Sequence, residues 1–253
     1  MEVKIFNEAE QMAEAAATFV SRKITGAIRS NGRAHVLFAT AGSQLLFLEK
    51  LLQKEIDWGK VCVFHLDEYK GLTADHPASF RKILSDHLLT KIQAMEVHLI
   101  GGESPDGRGE MERYAALLAT HPIDVACIGI GENGHIAFND PHVADFSDPE
   151  IIKTVTLDEA CRKQQVWEGW FPALEDVPAE AYTLTIPVIM KSNAISCVVP
   201  GVRKAEAVFN ALMGPLELTC PASILRTHRD AILFLDEGSA SKLQGTPFYH
   251  LTQ

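Results

Sequence analysis

The chain has 253 residues, 47% of them apolar, and a formal net charge of −10 from 23 basic and 33 acidic side chains. That length and apolar content support a large core, and residues 1–253 are read as one domain. The acidic balance excludes non-specific nucleic-acid binding, which needs a basic face, yet it leaves room for a small anionic ligand held by a few Lys, Arg and backbone N–H groups.

The opening stretch MEVKIFNEAEQMAEAA carries acidic residues where a secretory leader has basic and then apolar blocks, and no apolar run approaches membrane-spanning length. The five cysteines, Cys62, Cys127, Cys161, Cys197 and Cys220, are scattered without CxxC spacing, so reduced thiols, a cytoplasmic location and no membrane partner are expected. Apolar residues then recur at helical spacing over Ala13–Ile28, Gln44–Lys54, Phe80–Leu89, Glu110–Ala119 and Lys204–Leu212. Between and after these lie β-rich runs at His35–Ala41, Val61–Leu66, Val97–Ile100, Val125–Ile130, Tyr182–Ile186, Ile195–Val199 and Ala231–Leu235. The alternation predicts an α/β fold, a Rossmann-like parallel sheet flanked by helices. Residues 142–181 break the rhythm with Pro, Gly and the aromatics Trp167, Trp170 and Phe171. They read as a lid-like insertion over a substrate or, equally, as a self-packed surface excursion.

In such sheets ligands gather at the carboxyl ends of the strands, so the loops there are the ones to read. Ala39-Thr40-Ala41-Gly42-Ser43 leads into a helix with small residues that let backbone N–H groups approach a phosphate, although a tight turn capped by Ser43 accounts for it equally simply. His65-Leu66-Asp67-Glu68-Tyr69-Lys70-Gly71 puts two carboxylates at a strand mouth, a setting for general acid–base work that a solvated turn would also produce. Gly129-Ile130-Gly131-Glu132-Asn133-Gly134 matches G-x-G-x-x-G, but Pro141 leaves no room for the helix that a dinucleotide fingerprint must open, so dinucleotide binding is rejected. What remains is a glycine-flexed loop presenting His135 beside Asn133, Asn139 and Asp140, in which a neighbouring carboxylate fixes the tautomer of a proton-transferring imidazole. No G-x-S-x-G elbow and no zincin spacing occur.

With LDEYKGL and HPASF (Leu66–Leu72, His76–Phe80), GENGHIAFNDP (Gly131–Pro141), the ATAGS loop and PGVRKAEAV (Pro200–Val208) in this order, the chain resembles the glucosamine-6-phosphate deaminase/isomerase family. That group also holds galactosamine-6-phosphate isomerases and 6-phosphogluconolactonases. The resemblance implies Asp67 as the base moving a proton between C2 and C1, His135 as the ring-opening acid–base, and Asp140, usually a glutamate, as its orienting carboxylate. Asn133 stands where the best-known deaminases have a second carboxylate, a change associated with galactosamine-type relatives. Thr40, Ala41, Gly42, Ser43 and Lys204 match the phosphate-binding groups. Gln165 replaces a lid arginine, whose cation is then sought in Arg226, Arg203 or Arg162. Apolar Ile151 and Ile152, at positions that are basic in allosterically activated members, argue against effector control.

The implied activity is isomerisation and deamination of glucosamine 6-phosphate to fructose 6-phosphate and ammonia, in a deaminase/isomerase classed as a hydrolase, within amino-sugar catabolism. Galactosamine 6-phosphate turnover, 6-phosphogluconolactone hydrolysis and non-catalytic sugar-phosphate sensing rank behind it. The implied partner is a small sugar phosphate, with no cofactor, no metal and no nucleic acid, and a homo-oligomer is allowed without being specified.

Overall fold

The computed structural model describes residues 1–167 and 169–251. The chain runs β1 (Glu2–Phe6), α1 (Ala9–Asn31), β2 (Ala34–Phe38), α2 (Leu45–Leu52), β3 (Val61–His65), β4 (Asp67–Tyr69), α3 (Phe80–His87), β5 (Glu96–His98), α4 (Gly107–Thr120) and β6 (Val125–Ile128). It continues through β7 (Ile152–Thr156), α5 (Glu159–Trp167), β8 (Glu180–Leu184), α6 (Ile186–Met190), β9 (Ala194–Val199), α7 (Ala205–Met213) and β10 (Ala231–Asp236).

Seven strands form one parallel sheet in the order β1-β10-β9-β6-β2-β3-β5. Its inner strands are apolar on both faces because helices cover both, so they read as continuous hydrophobic runs. Val36, Phe38, Val61, Val63, Val125 and Cys127 pack under α1 and α2, whose Ala13, Ala16, Ala17 and Val20 permit close approach. Leu37, Cys62, Phe64, Ala126 and Ile128 face the other way onto Tyr114 and Leu118 of α4 and the α7 stripe Ala207, Val208 and Ala211. From β2 the chain steps outward through β3 to β5, then returns to β6 and steps the opposite way to β9 and β10. The reversal between β2 and β6 is a topological switch point, where the loops leaving two adjacent strands part and open a crevice.

The expected Rossmann-like sheet is present, with differences. Tyr182–Ile186 was assigned to the parallel sheet, yet β8 is instead the middle strand of a separate antiparallel sheet, β4-β8-β7. Thr183 and Leu184 are as buried as a core strand demands, and burial alone does not specify which sheet a strand joins. Strands β1, β4 and β7 and helices α5 and α6 were not expected from the sequence. Each of these strands is three to five residues long, too short for periodicity to register. Residues 142–181 accordingly hold β7 and α5 rather than loop alone, and Glu168 within them lies outside the described residues.

Candidate active site

A cavity of about 330 Å³ opens at the switch point. It is lined by the loop after β2 (Ala39–Gln44), by Leu66 and Asp67 after β3, and by Gly129–Gly131, His135, Ala137 and Phe138 after β6. Phe80, Gln165, Trp170 and Lys204 complete the wall. The two loops expected to meet over one ligand therefore do face a common space.

The loop after β2 is tied down at both ends. The Ala39 N–H donates to the Cys127 carbonyl at 2.8 Å, and Gln44 Nε2 donates to Val198 O at 3.0 Å. Between them Thr40, Ala41, Gly42 and Ser43 border the cavity, and Gly42–Gln44 form a 3₁₀ turn entering α2. Thr40 is buried, and its Oγ1 has no hydrogen-bond partner within the protein. A buried hydroxyl left in that state is a donor a ligand can satisfy.

Asp67 and Glu68 have opposite fates because consecutive strand residues point to opposite faces. Glu68 is fully buried and accepts hydrogen bonds from the Tyr69, Phe80 and Arg81 backbone N–H groups, from Ser79 Oγ and from Arg81 Nε. It thereby satisfies the first turn of α3 and pairs with a buried guanidinium at 3.0 Å. Its role is structural. Asp67 turns into the cavity, only 7% exposed. Burial, with the Glu68 charge beside it, pushes its carboxyl well above the ordinary carboxylate range.

His135 is positioned by its own loop. Its Nδ1 lies 2.8 Å from Asp140 Oδ1, and its backbone N–H donates to Asn133 Oδ1 at 3.1 Å. Asn133 Nδ2 donates to the same Asp140 oxygen at 2.8 Å, so carboxamide and imidazole converge on one buried acceptor. Burial works to raise the Asp140 carboxyl, but the His135 hydrogen bond and charge, with the Asn133 bond, hold it below its usual range. Asp140 thus stays ionised and faces Nδ1 of the ring, so Nε2 is the nitrogen not engaged by it. Gly131 is required because a Cβ there would fall 2.1–2.4 Å from the imidazole atoms. Ala137, with φ 52, is the one non-glycine residue in the left-handed region among the described residues. Its turn delivers the Phe138 N–H to Thr183 Oγ1 at 3.1 Å, and Asn139 Nδ2 bonds the Leu184 carbonyl at 2.8 Å, anchoring the loop to β8. From Gly129 to Pro141 the chain makes turns and no helix.

Lys204, at the end of the 3₁₀ turn Val202–Lys204 that follows β9, is the one Lys or Arg among the cavity-lining residues. Arg226 does not line the cavity, which corrects the expectation of a phosphate-binding arginine there. Its Nη1 donates to the last turn of α7 at Leu212 O (3.0 Å) and its Nε to Ser223 O, orphan carbonyls that a cation satisfies. Arg162 is likewise turned onto the Val177 carbonyl at 3.1 Å. Arg203 pairs with Glu132 at 2.8 Å and lies 3.3 Å over the Trp167 ring. Gln165 and Trp170 from the irregular segment do reach the cavity.

Several supporting residues escaped the sequence reading. Phe80, Phe138 and Tyr69 pack as one aromatic cluster behind the site, and Cys220 lies where a Gly134 side chain would be. These are contacts between segments far apart in the chain, and only the HPASF and FND motifs hinted at the first pair. His135, Asp140 and Cys161 also bring potential metal-ligand atoms within 4.8 Å of one another.

A family model described as glucosamine-6-phosphate isomerases/6-phosphogluconolactonase matches residues 7–234. The chain is 36% identical over 243 residues to a glucosamine-6-phosphate deaminase of Exiguobacterium sibiricum, covering 96% of this chain and 93% of that one. A second glucosamine-6-phosphate deaminase, from Listeria innocua, is 36% identical over 217 residues, or 85% of this chain and 90% of its own. Among solved structures, a monomeric glucosamine-6-phosphate deaminase superposes with a TM-score of 0.87 at 29% identity, covering 95% of this chain and 99% of that one. The 6-phosphogluconolactonase of Trypanosoma brucei superposes at 0.78 with 16% identity over 96% and 98% of the two chains, a likeness of fold alone. The hydrolase class expected from the sequence is overturned, since these relatives are glucosamine-6-phosphate deaminases. Among the described residues no helix is long and apolar enough to cross a membrane.

Proposed function

The chain belongs to the glucosamine-6-phosphate isomerase/6-phosphogluconolactonase family, and from that premise we propose that it converts glucosamine 6-phosphate to fructose 6-phosphate and ammonia, with residues 1–253 acting as one catalytic domain. The observation that carries the proposal is the pairing of an unsolvated carboxylate, Asp67, with an Asp140-oriented imidazole, His135, in one cavity. Lactone hydrolysis asks only that a water be activated. Aldose–ketose isomerisation also asks for a base strong enough to take a proton from carbon.

The phosphate sits against the Thr40–Ser43 turn and Lys204. The backbone N–H groups, the free Thr40 hydroxyl and the ammonium offset its charge in a chain that is otherwise acidic. His135 Nε2 passes a proton between the ring oxygen and O1 and so opens the pyranose, while Asp140 steadies the transient imidazolium. Asp67, its basicity raised by desolvation, takes the C2 proton and returns it at C1 through an enolamine, which leaves an imine at C2. A positioned base of this kind contributes about 10²–10⁴-fold. Ammonia then leaves C2, water supplying the ketone oxygen. Gln165 and Trp170 cover the sugar as the inner face of a lid formed by residues 142–181. The reaction runs in the cytoplasm on a free sugar phosphate, without nucleic acid or membrane.

The test is ammonia release from glucosamine 6-phosphate, galactosamine 6-phosphate and their N-acetylated forms, with 6-phosphogluconolactone hydrolysis measured on the same preparation. Turnover of glucosamine 6-phosphate above the others is expected. Hydrolysis of the lactone without ammonia release from either amino sugar would overturn the proposal.

A further inference from the structure

Outside the cavity lining, where the end of α4 meets the edge strand β5, three potential ligands converge. Cys62 pairs with Glu96 and Phe64 with His98 across β3 and β5. Glu96 and His98, two residues apart on one strand, therefore present their side chains to the same face. That face carries α4, whose Tyr114 and Leu118 pack on Cys62 and Phe64, and His121, the residue that caps α4, drops onto the pair. Glu96 Oε2 lies 2.8 Å from His98 Nε2 and 3.9 Å from His121 Nε2, and one ligand atom from each of the three lies within 4.8 Å of the others. Ligands about 2.0–2.1 Å from a tetrahedral ion stand roughly 3.3 Å apart, so small side-chain rotations complete the geometry.

The His121 imidazole is also oriented for it. His121 Nδ1 is 2.7 Å from the Leu117 carbonyl and 3.0 Å from Thr120 Oγ1; the carbonyl can only accept, so this nitrogen carries a proton and Nε2 is the one left to face Glu96. A ring nitrogen bound to a backbone carbonyl with the other free is the usual arrangement around a metal-binding histidine. Both imidazoles are more than four-fifths buried, and the carboxylate is the solvent-facing member. A third imidazole borders the cluster. His35, buried, stands edge to face with His121 at 4.9 Å, has Nδ1 3.0 Å from the Pro122 carbonyl, and leaves Nε2 without a partner.

We propose that Glu96, His98 and His121 bind a divalent transition-metal ion of the zinc class, outside the catalytic cavity, pinning the end of α4 to β5. Two imidazoles and one carboxylate suit zinc rather than magnesium or calcium, which take all-oxygen shells. Water fills the fourth position.

The experiment uses the full chain stripped with chelator and carrying Cys161→Ser, so that His135, Asp140 and Cys161 contribute no thiolate signal. Zn²⁺ is titrated by calorimetry and Co²⁺ by its visible absorption. One equivalent of Zn²⁺ and the intense absorption of four-coordinate Co²⁺ are expected. Glu96→Gln should weaken binding by about tenfold or more, and His98→Ala with His121→Ala should abolish it. Melting temperatures without metal show that each variant is folded, and Glu96→Gln alters the most exposed side chain of the three. Absence of binding to the parent, or equal binding by the parent and all folded variants, would overturn the proposal in favour of an imidazole–carboxylate cluster that needs no ion.

Discussion

Replacing Asp67 by asparagine should cripple turnover and raise stability in the same protein. The two side chains have the same shape, and asparagine matches the protonated acid, so the cavity wall is retained. Loss of the base should lower kcat/KM for ammonia release by about 10²–10⁴-fold. The stability effect follows from the raised carboxyl of Asp67. A carboxylic acid whose pKa is higher in the folded than in the unfolded chain holds its proton more tightly when native. Its presence costs nothing below the unfolded pKa and progressively more as pH rises through the folded one. Each unit by which folding raises it corresponds to about 1.4 kcal/mol above that range, or roughly 3–6 °C in melting temperature for a chain of this size. Melting curves of parent and variant should therefore coincide near pH 4 and separate by pH 8, the variant being the more stable. A variant that melts lower than the parent at pH 8, or that releases ammonia at the parent's rate, would refute the assignment of Asp67 as a desolvated base.

The neighbouring carboxylate should behave oppositely. Glu68→Gln leaves the buried Arg81 with only the more exposed Glu103 as counter-charge and should lose about 1.5–3 kcal/mol of stability, seen as a lower denaturation midpoint at pH 7. Gly131→Ala drives a methyl group into the His135 ring. With a displacement of about 1 Å it should lower kcat roughly 10²-fold while the circular dichroism spectrum stays that of the parent. Lys204→Ala removes a charge-assisted contact to phosphate worth about 1.5–3 kcal/mol, so KM should rise roughly 10- to 100-fold with kcat changing less. An unchanged KM would take Lys204 out of the phosphate site.

The parallel-sheet architecture was legible because β2, β3, β6, β9 and β10 are largely apolar and the intervening helices repeat at 3.6 residues. Edge elements were harder to see. Strand β1 carries Glu2 and Lys4, and β7 carries Lys153, Thr154 and Thr156. Such short half-buried strands depend on the partner they find rather than on their own composition. Of the candidate site, Asp67, His135, Asp140 and Asn133 could be named in advance because loops after strands of one sheet must converge. Arg226 could not be judged in the same way. Its charge was visible, but the α7 carbonyl that occupies it belongs to another part of the fold.

By itself, then, the order of residues determined the class of fold, the loops at the strand mouths and the chemical types they carry, since all of these follow from local periodicity and turn chemistry. Only the tertiary structure decided which of two adjacent carboxylates would face the cavity and which would be held by a buried guanidinium. Asp67 and Glu68 are alike as letters, but one faces the cavity and the other faces Arg81 and the first turn of α3. The energy of a charge is set by the dipoles and solvent around it, and those come from segments distant in the chain.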